Sequence, residues 1–125
     1  MEDKLILSPL GHTWIFDLDG TIVKHNGYKI DGKDSFLEGA EAFLKSLPEQ
    51  DRILFLTSRE ESLKEQTEGF LREHGIRFDC ILYGMPYGER ILFNDCKPSG
   101  LKMGVAVNME RDRFRGPKLV IDENL

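Results

Sequence analysis

The sequence predicts a single α/β domain with a mainly parallel sheet, on three observations. Short apolar runs of strand length alternate with stretches whose apolar residues recur every three or four positions. Gly and Pro punctuate the joins, and three separate runs each end in a reactive residue, Asp17, Thr57 and Asp95. Strands alternating with helices imply a sheet sandwiched between helices with right-handed crossovers, in which ligands bind beyond the carboxyl ends of the strands. The expected architecture is a Rossmann-like three-layer sandwich, and the meeting of three reactive ends is stronger evidence than any one motif.

At 125 residues the chain is the size of one domain (1–125), large enough for one core and too small for a second. Its 40% hydrophobic and 31% charged residues are ordinary for a globular protein, and no apolar run approaches a membrane span. The acidic start Met1-Glu2-Asp3-Lys4, followed by only Leu5-Ile6-Leu7, is unlike a secretory signal, so a cytoplasmic location is expected. Cys80 and Cys96 make no disulfide framework and no Cys-x-x-Cys site, and are expected to be free thiols. A formal net charge of -5 argues against a nucleic-acid partner, whose binding usually needs a basic face, and no membrane partner is expected.

Residues 1–12 read as a lead-in. The first strand is His12-Thr13-Trp14-Ile15-Phe16, closing in Asp17-Leu18-Asp19-Gly20-Thr21. Side chains alternate along a strand, so Asp17 and Asp19 face one side if it continues, or sit at its carboxyl end if it breaks at Gly20. Two acids there make either a cation site or a nucleophile with an acid/base partner; the plainer reading is a polar turn. From Thr21 to Asp34 the link is long, and Asn26-Gly27 between Ile22-Val23 and Tyr28-Lys29-Ile30 predicts a tight hairpin.

Ser35 and Glu38 fit a capping box, which predicts a helix beginning there. Its stripe is Phe36, Leu37, Ala40, Phe43, Leu44 and Leu47, and Pro48 ends it. Ile53-Leu54-Phe55-Leu56 is a continuous apolar run, as for a strand covered on both faces. Ser58 and Glu61 suggest a second capping box, opening a helix with Leu63, Phe70 and Leu71 inward and Gly75 as its stop. Further strands are predicted at Cys80-Ile81-Leu82-Tyr83, Arg90-Ile91-Leu92-Phe93, Gly104-Val105-Ala106-Val107 and Lys118-Leu119-Val120-Ile121.

An apolar strand running into Asp-Leu-Asp-Gly-Thr at residues 17–21 resembles the first signature of the haloacid dehalogenase superfamily. The resemblance implies a phosphatase in which Asp17 attacks a phosphoryl group, Asp19 shuttles the proton, and magnesium bridges enzyme and phosphate. Thr57 resembles the second signature, so Thr57, Ser58 and Arg59, with Leu18 of the first motif, are the implied phosphate-binding residues. A helix starting just after Ser58 would add its dipole. Asn94-Asp95-Cys96-Lys97-Pro98 resembles the fourth signature, with Asn94 in place of one acid. The implied magnesium ligands are therefore Asp17, the main-chain carbonyl of Asp19, and Asp95, an oxygen set that suits an octahedral ion.

The cation of the third signature is missing near Gly84-Met85-Pro86; Lys97 is its leading substitute and Arg59 the rival. The hairpin would act as a flap bringing Lys24, His25 and Tyr28 near a substrate; the plainer alternative is a surface hairpin. Short links elsewhere leave no room for a large cap domain, and Ser99 to Arg115 resembles small capless phosphatases of surface-polysaccharide and sugar-nucleotide pathways. The expected function is a magnesium-dependent phosphomonoesterase acting on a sugar phosphate. Without a cap, either a large substrate or a neighbouring subunit must exclude water, and a homo-oligomer is expected.

Two other classes compete. A non-catalytic or regulatory domain, such as a receiver, also gathers strand-end acids, Thr or Ser, and Lys, but carries its phospho-accepting Asp well inside the chain. A metal-dependent glycosyltransferase with an Asp-x-Asp motif needs more chain than 125 residues for its two sites.

Overall fold

The computed structural model describes residues 3–125, which fold as α/β with parallel strands in two sheets. The chain falls into two compact units. The larger, Leu10–Pro86 with Met109–Gly116, carries β2 (Thr13–Asp17), α1 (Gly27–Ile30), α2 (Ala40–Ser46), β3 (Arg52–Leu56), a 3₁₀ turn (Glu61–Leu63), α3 (Lys64–Glu73) and β4 (Cys80–Leu82). The smaller comprises the N-terminal residues through Pro9, Tyr87–Asn108 and Pro117–Leu125, and carries β1 (Lys4–Leu7) and β5 (Lys118–Ile121).

In the larger unit β2, β3 and β4 lie in that order and all parallel, with Asp17 opposite Leu56 and Leu56 opposite Leu82. The carboxyl ends of these three strands are thus level; two of them are the ends at Asp17 and Thr57 that the sequence singles out, whereas the run before Asp95 forms no strand and lies in the smaller unit. Alternation puts Trp14, Phe16, Ile53, Phe55 and Ile81 on one face. Phe16, Ile53 and Phe55 are buried there, each contributing about 1.5–3 kcal/mol if fully removed from water. Phe43 of α2 meets this face edge-on, 6.0 Å from the Trp14 ring and 6.4 Å from Phe16. The opposite face is more open: Ile15 is 50% and Leu82 43% exposed, so β3 is not flanked by two equally covered faces.

Several expected elements differ from the structure. The Asn26-Gly27 hairpin is absent: Asn26 takes the left-handed conformation (φ 56°), but Gly27 begins the short helix α1 instead of a two-residue turn needing a second positive φ. The stretch is nonetheless a closed loop, because Lys24 N–H donates to Ser35 O (3.0 Å) and Leu37 N–H to Ile22 O (2.9 Å). That pairing draws Phe36 and Leu37 away from the helix, so α2 starts at Ala40 behind a left-handed Gly39 and Ser35 caps nothing. Ser58 caps nothing either; the 3₁₀ turn begins at Glu61 and the α-helix at Lys64. The predicted stops hold, with Gly75 left-handed (φ 71°) after α3 and Pro48 just beyond α2.

In the smaller unit the expected lead-in contains a strand. β1 pairs in parallel with β5, from Lys4 opposite Lys118 to Leu7 opposite Ile121. The predicted strands at Arg90–Phe93 and Gly104–Val107 are irregular instead, with Ile91 79% and Phe93 90% exposed. A β-favouring run forms a strand only when a neighbour completes its ladder, and among the described residues neither run has one. Among the described residues, no helix is long and apolar enough to cross a membrane.

Candidate active site

The residues of the first motif stay together. β2 ends at Asp17, and the chain then turns sharply: the N–H groups of Thr21, Ile22 and Val23 all point at Leu18 O (2.9–3.3 Å), while Gly20 N–H donates to Val23 O (2.7 Å). Gly20 sits at φ +84°, a conformation natural to glycine. The turn folds Thr21 back so that its hydroxyl donates to Asp17 Oδ2 at 2.9 Å, fixing one carboxylate oxygen at the strand end. Leu18 is buried and contributes its carbonyl to this turn.

Thr57 follows β3 directly and is 1% exposed. Its backbone continues the sheet, N–H to Leu82 O (3.0 Å) and O from Met85 N–H (3.0 Å), and its hydroxyl accepts from Arg59 N–H at 3.0 Å. Ser58 makes one long contact, to Pro86 O at 3.5 Å. Without a helix at Ser58 there is no dipole end there to receive a phosphate.

Arg59 is the structural centre of the site. Its Nε and Nη2 donate to the two oxygens of Asp19 (3.0 and 2.8 Å), Nη1 and Nη2 to the two of Asp34 (3.0 and 2.7 Å), and Nη1 also to Thr67 Oγ1 (3.0 Å). All five donors of the guanidinium are therefore used. Its carbon lies 4.3 Å above the Tyr28 ring of the closed loop, a cation–π contact. The side chain is 1% exposed and Asp34's is 3% exposed. Burial opposes the charge, but hydrogen bonds and attraction from Asp19 and Asp34 outweigh it and hold the Arg59 pKa above its ordinary value.

This geometry redefines Arg59: with no donor free, it orients Asp19 instead of presenting a charge to a phosphate. Asp34, 25 residues away, drew no notice in the sequence because nothing local pairs it with Arg59. Of the flap residues, Tyr28 does reach the site through Arg59, whereas Lys24 is paired with Asp31 at 3.0 Å.

Asp95 and Lys97 belong to the smaller unit. Asp95 is exposed, and its carboxylate is 3.4 Å from Asn94 Nδ2. Lys97 opens a tight turn in which Gly100 N–H donates to Lys97 O (2.8 Å) and Lys97 N–H to Leu101 O (2.9 Å), so the chain does not run on extended there.

Among the described residues, no group of three or more His, Cys, Asp and Glu side chains is arranged as a metal cage. The larger unit offers the Asp17 carboxylate and the Asp19 main-chain carbonyl, while Arg59 occupies the Asp19 carboxylate. That donor set fits magnesium, which keeps several waters and takes one or two carboxylates along with substrate oxygens. Compared with models of protein families, with curated proteins and with solved structures, the chain matches none.

Proposed function

We propose that the protein is a magnesium-dependent phosphomonoesterase of the haloacid dehalogenase type, with a Rossmann-like three-layer core and no large cap. The observation that carries the reading is Asp17: a carboxylate at the end of a parallel strand, one oxygen fixed by the Thr21 hydroxyl at 2.9 Å, beside the end of β3 and Thr57. An Asp17 oxygen attacks phosphorus while the bond to the leaving alkoxide breaks, giving an aspartyl-phosphate. Asp19 takes up a proton from solvent and passes it to that alkoxide, and then takes one from the water that hydrolyses the intermediate. Arg59 holds Asp19 in place throughout, and each Asp19 oxygen keeps a second lone pair through which to exchange the proton. Magnesium, when bound by Asp17 and the Asp19 carbonyl, offsets the charge of the phosphoryl oxygens.

A sugar phosphate is the proposed substrate class. Asp95→Asn and Lys97→Ala ask separately whether those side chains serve the reaction. A preorganised charge stabiliser at Lys97 predicts a fall in kcat of at least about 10²-fold.

The test is phosphate release from a panel of phosphorylated metabolites with magnesium, with wild type and two variants side by side. Asp17→Asn is expected to abolish release while leaving the circular dichroism unchanged, and full activity in that variant would refute the assignment. Asp19→Asn is expected to lower kcat by about 10²- to 10⁴-fold.

One observation favours a second reading, a regulatory phosphate-binding domain of the same fold: both oxygens of Asp19 are held by Arg59. A stable phosphoryl adduct on Asp17 that does not turn over would select it.

A further inference from the structure

We propose that Arg111 is a phosphate-binding residue of the Asp17 centre, held over the Asp17–Thr21 turn by Asp112. The proposal rests on the phosphomonoesterase reading above and supplies the cation that Arg59 cannot. Residues 109–116 belong to the same unit as β2, β3 and β4. Asp112 anchors them twice: its N–H donates to Gly20 O at 2.8 Å, and its Oδ1 accepts the N–H of His25 at 2.7 Å. A turn closed by Arg113 N–H to Glu110 O (3.1 Å) surrounds it, and Asp112 itself sits at φ +63°. A non-glycine residue held in the left-handed region marks a conformation imposed by its contacts.

The anchor fixes its neighbour. Arg111 Cγ lies 3.0 Å from the place a Cβ on Gly20 would occupy, so the stem of Arg111 rests on the glycine next to Thr21, whose hydroxyl holds Asp17. Arg111 is exposed, and among the described residues its guanidinium has no hydrogen-bond or ion-pair partner, whereas Arg113 is paired with Glu110 at 3.3 Å. The same spot holds a buried ring nitrogen without a partner among the described residues: His25 Nδ1, 3.6 Å from that Cβ position.

Charge gives the reason for a ligand there. Asp19 and Asp34 are two carboxylates held by the single guanidinium of Arg59, so a phosphate dianion arriving beside them meets net negative charge. A planar guanidinium with free donors, carried on a stem already seated on the turn, offsets that charge and matches two phosphate oxygens at once.

The experiment measures hydrolysis of p-nitrophenyl phosphate by the full chain with magnesium, and its competitive inhibition by inorganic phosphate. Arg111→Ala is expected to raise both KM and the phosphate inhibition constant by about tenfold or more, the loss of a hydrogen bond to a charged group. Arg111→Lys is expected to recover part of that loss. Arg115→Ala, which removes the same charge from the same segment, is expected to match wild type. An inhibition constant for Arg111→Ala equal to wild type, or Arg111→Lys no better than Arg111→Ala, overturns the proposal while an active wild type keeps the phosphatase reading. A wild type that releases no phosphate, and whose panel of metabolites is equally inert, overturns both.

Discussion

Two arginines touch the Asp17–Thr21 turn in opposite ways. Arg59 reaches Asp19 from the end of β3 with its side chain 1% exposed and every donor used, whereas Arg111 lies on Gly20 exposed and, among the described residues, without a partner. The contrast separates two jobs that sequence reading merges under one residue type. A saturated guanidinium between two carboxylates has nothing left to offer a ligand; it converts its charge into the fixed orientation of Asp19. An unpaired one keeps its charge for what arrives from solvent. Position in the chain points the other way, since Arg59 sits in the motif and Arg111 does not.

The largest expected effect breaks the buried side. Arg59→Met fills similar volume but leaves Asp34, 3% exposed, without a counter-charge, and should cost about 3–5 kcal/mol in urea unfolding. A loss below about 1 kcal/mol, the range of exposed ion pairs, would show that Arg59 is not the structural hub described here. Asp34→Asn should cost less, about 1–3 kcal/mol, because Asp19 still compensates the guanidinium while one charged partner is lost. If it also lowers kcat without moving KM, the effect has passed through Arg59 to Asp19.

The smallest effect sharpens the exposed end of the comparison. Arg52 and Asp79 pair at 3.0 Å near the surface. The Ile53 N–H, and then Arg52, hold the Asp79 carboxyl below its usual pKa. A depressed carboxylate contributes stability that is present above its unfolded pKa of about 3.9 and is lost as pH falls through the lower folded value. Asp79→Asn should therefore be slightly less stable than wild type near pH 7, with the difference vanishing as pH falls below the folded value. A difference that persists at the acid end would assign the effect to packing instead of charge.

What the sequence made legible was the part governed by local pattern. The apolar runs at Thr13–Asp17, Arg52–Leu56 and Cys80–Leu82 form the parallel ladder, and the level strand ends follow from it. Lys118–Ile121 is also a strand, though its partner β1 lies in a stretch that read as a lead-in. Misreadings arose where a long-range contact overrode a local signal. Phe36 reads as the first turn of a helix but bridges Val23, so the capping box at Ser35 has no helix to cap. The Asp34–Arg59 pair joins residues 25 apart, and no spacing rule connects them. Arg111, Arg113 and Arg115 stand at alternate positions in a chain of net charge -5, but Glu110 and Asp112 sit among them, so the spacing alone does not single out Arg111.

The closed loop between Val23 and Phe36 has a consequence for how this protein can be altered. Its two stems are tied to each other by Lys24 N–H to Ser35 O and Leu37 N–H to Ile22 O, so its ends meet whatever lies between them. Loop-closure entropy grows only with the logarithm of length, about 0.6 kcal/mol for each doubling. At Gly32 an added side chain meets nothing within 4 Å, but the φ of +76° strains any residue other than glycine, so grafted residues extend the loop beside that glycine and away from the ladder that carries Asp17. The loop is thus an insertion point, a place where chain can be added while the strand that carries Asp17 keeps its place.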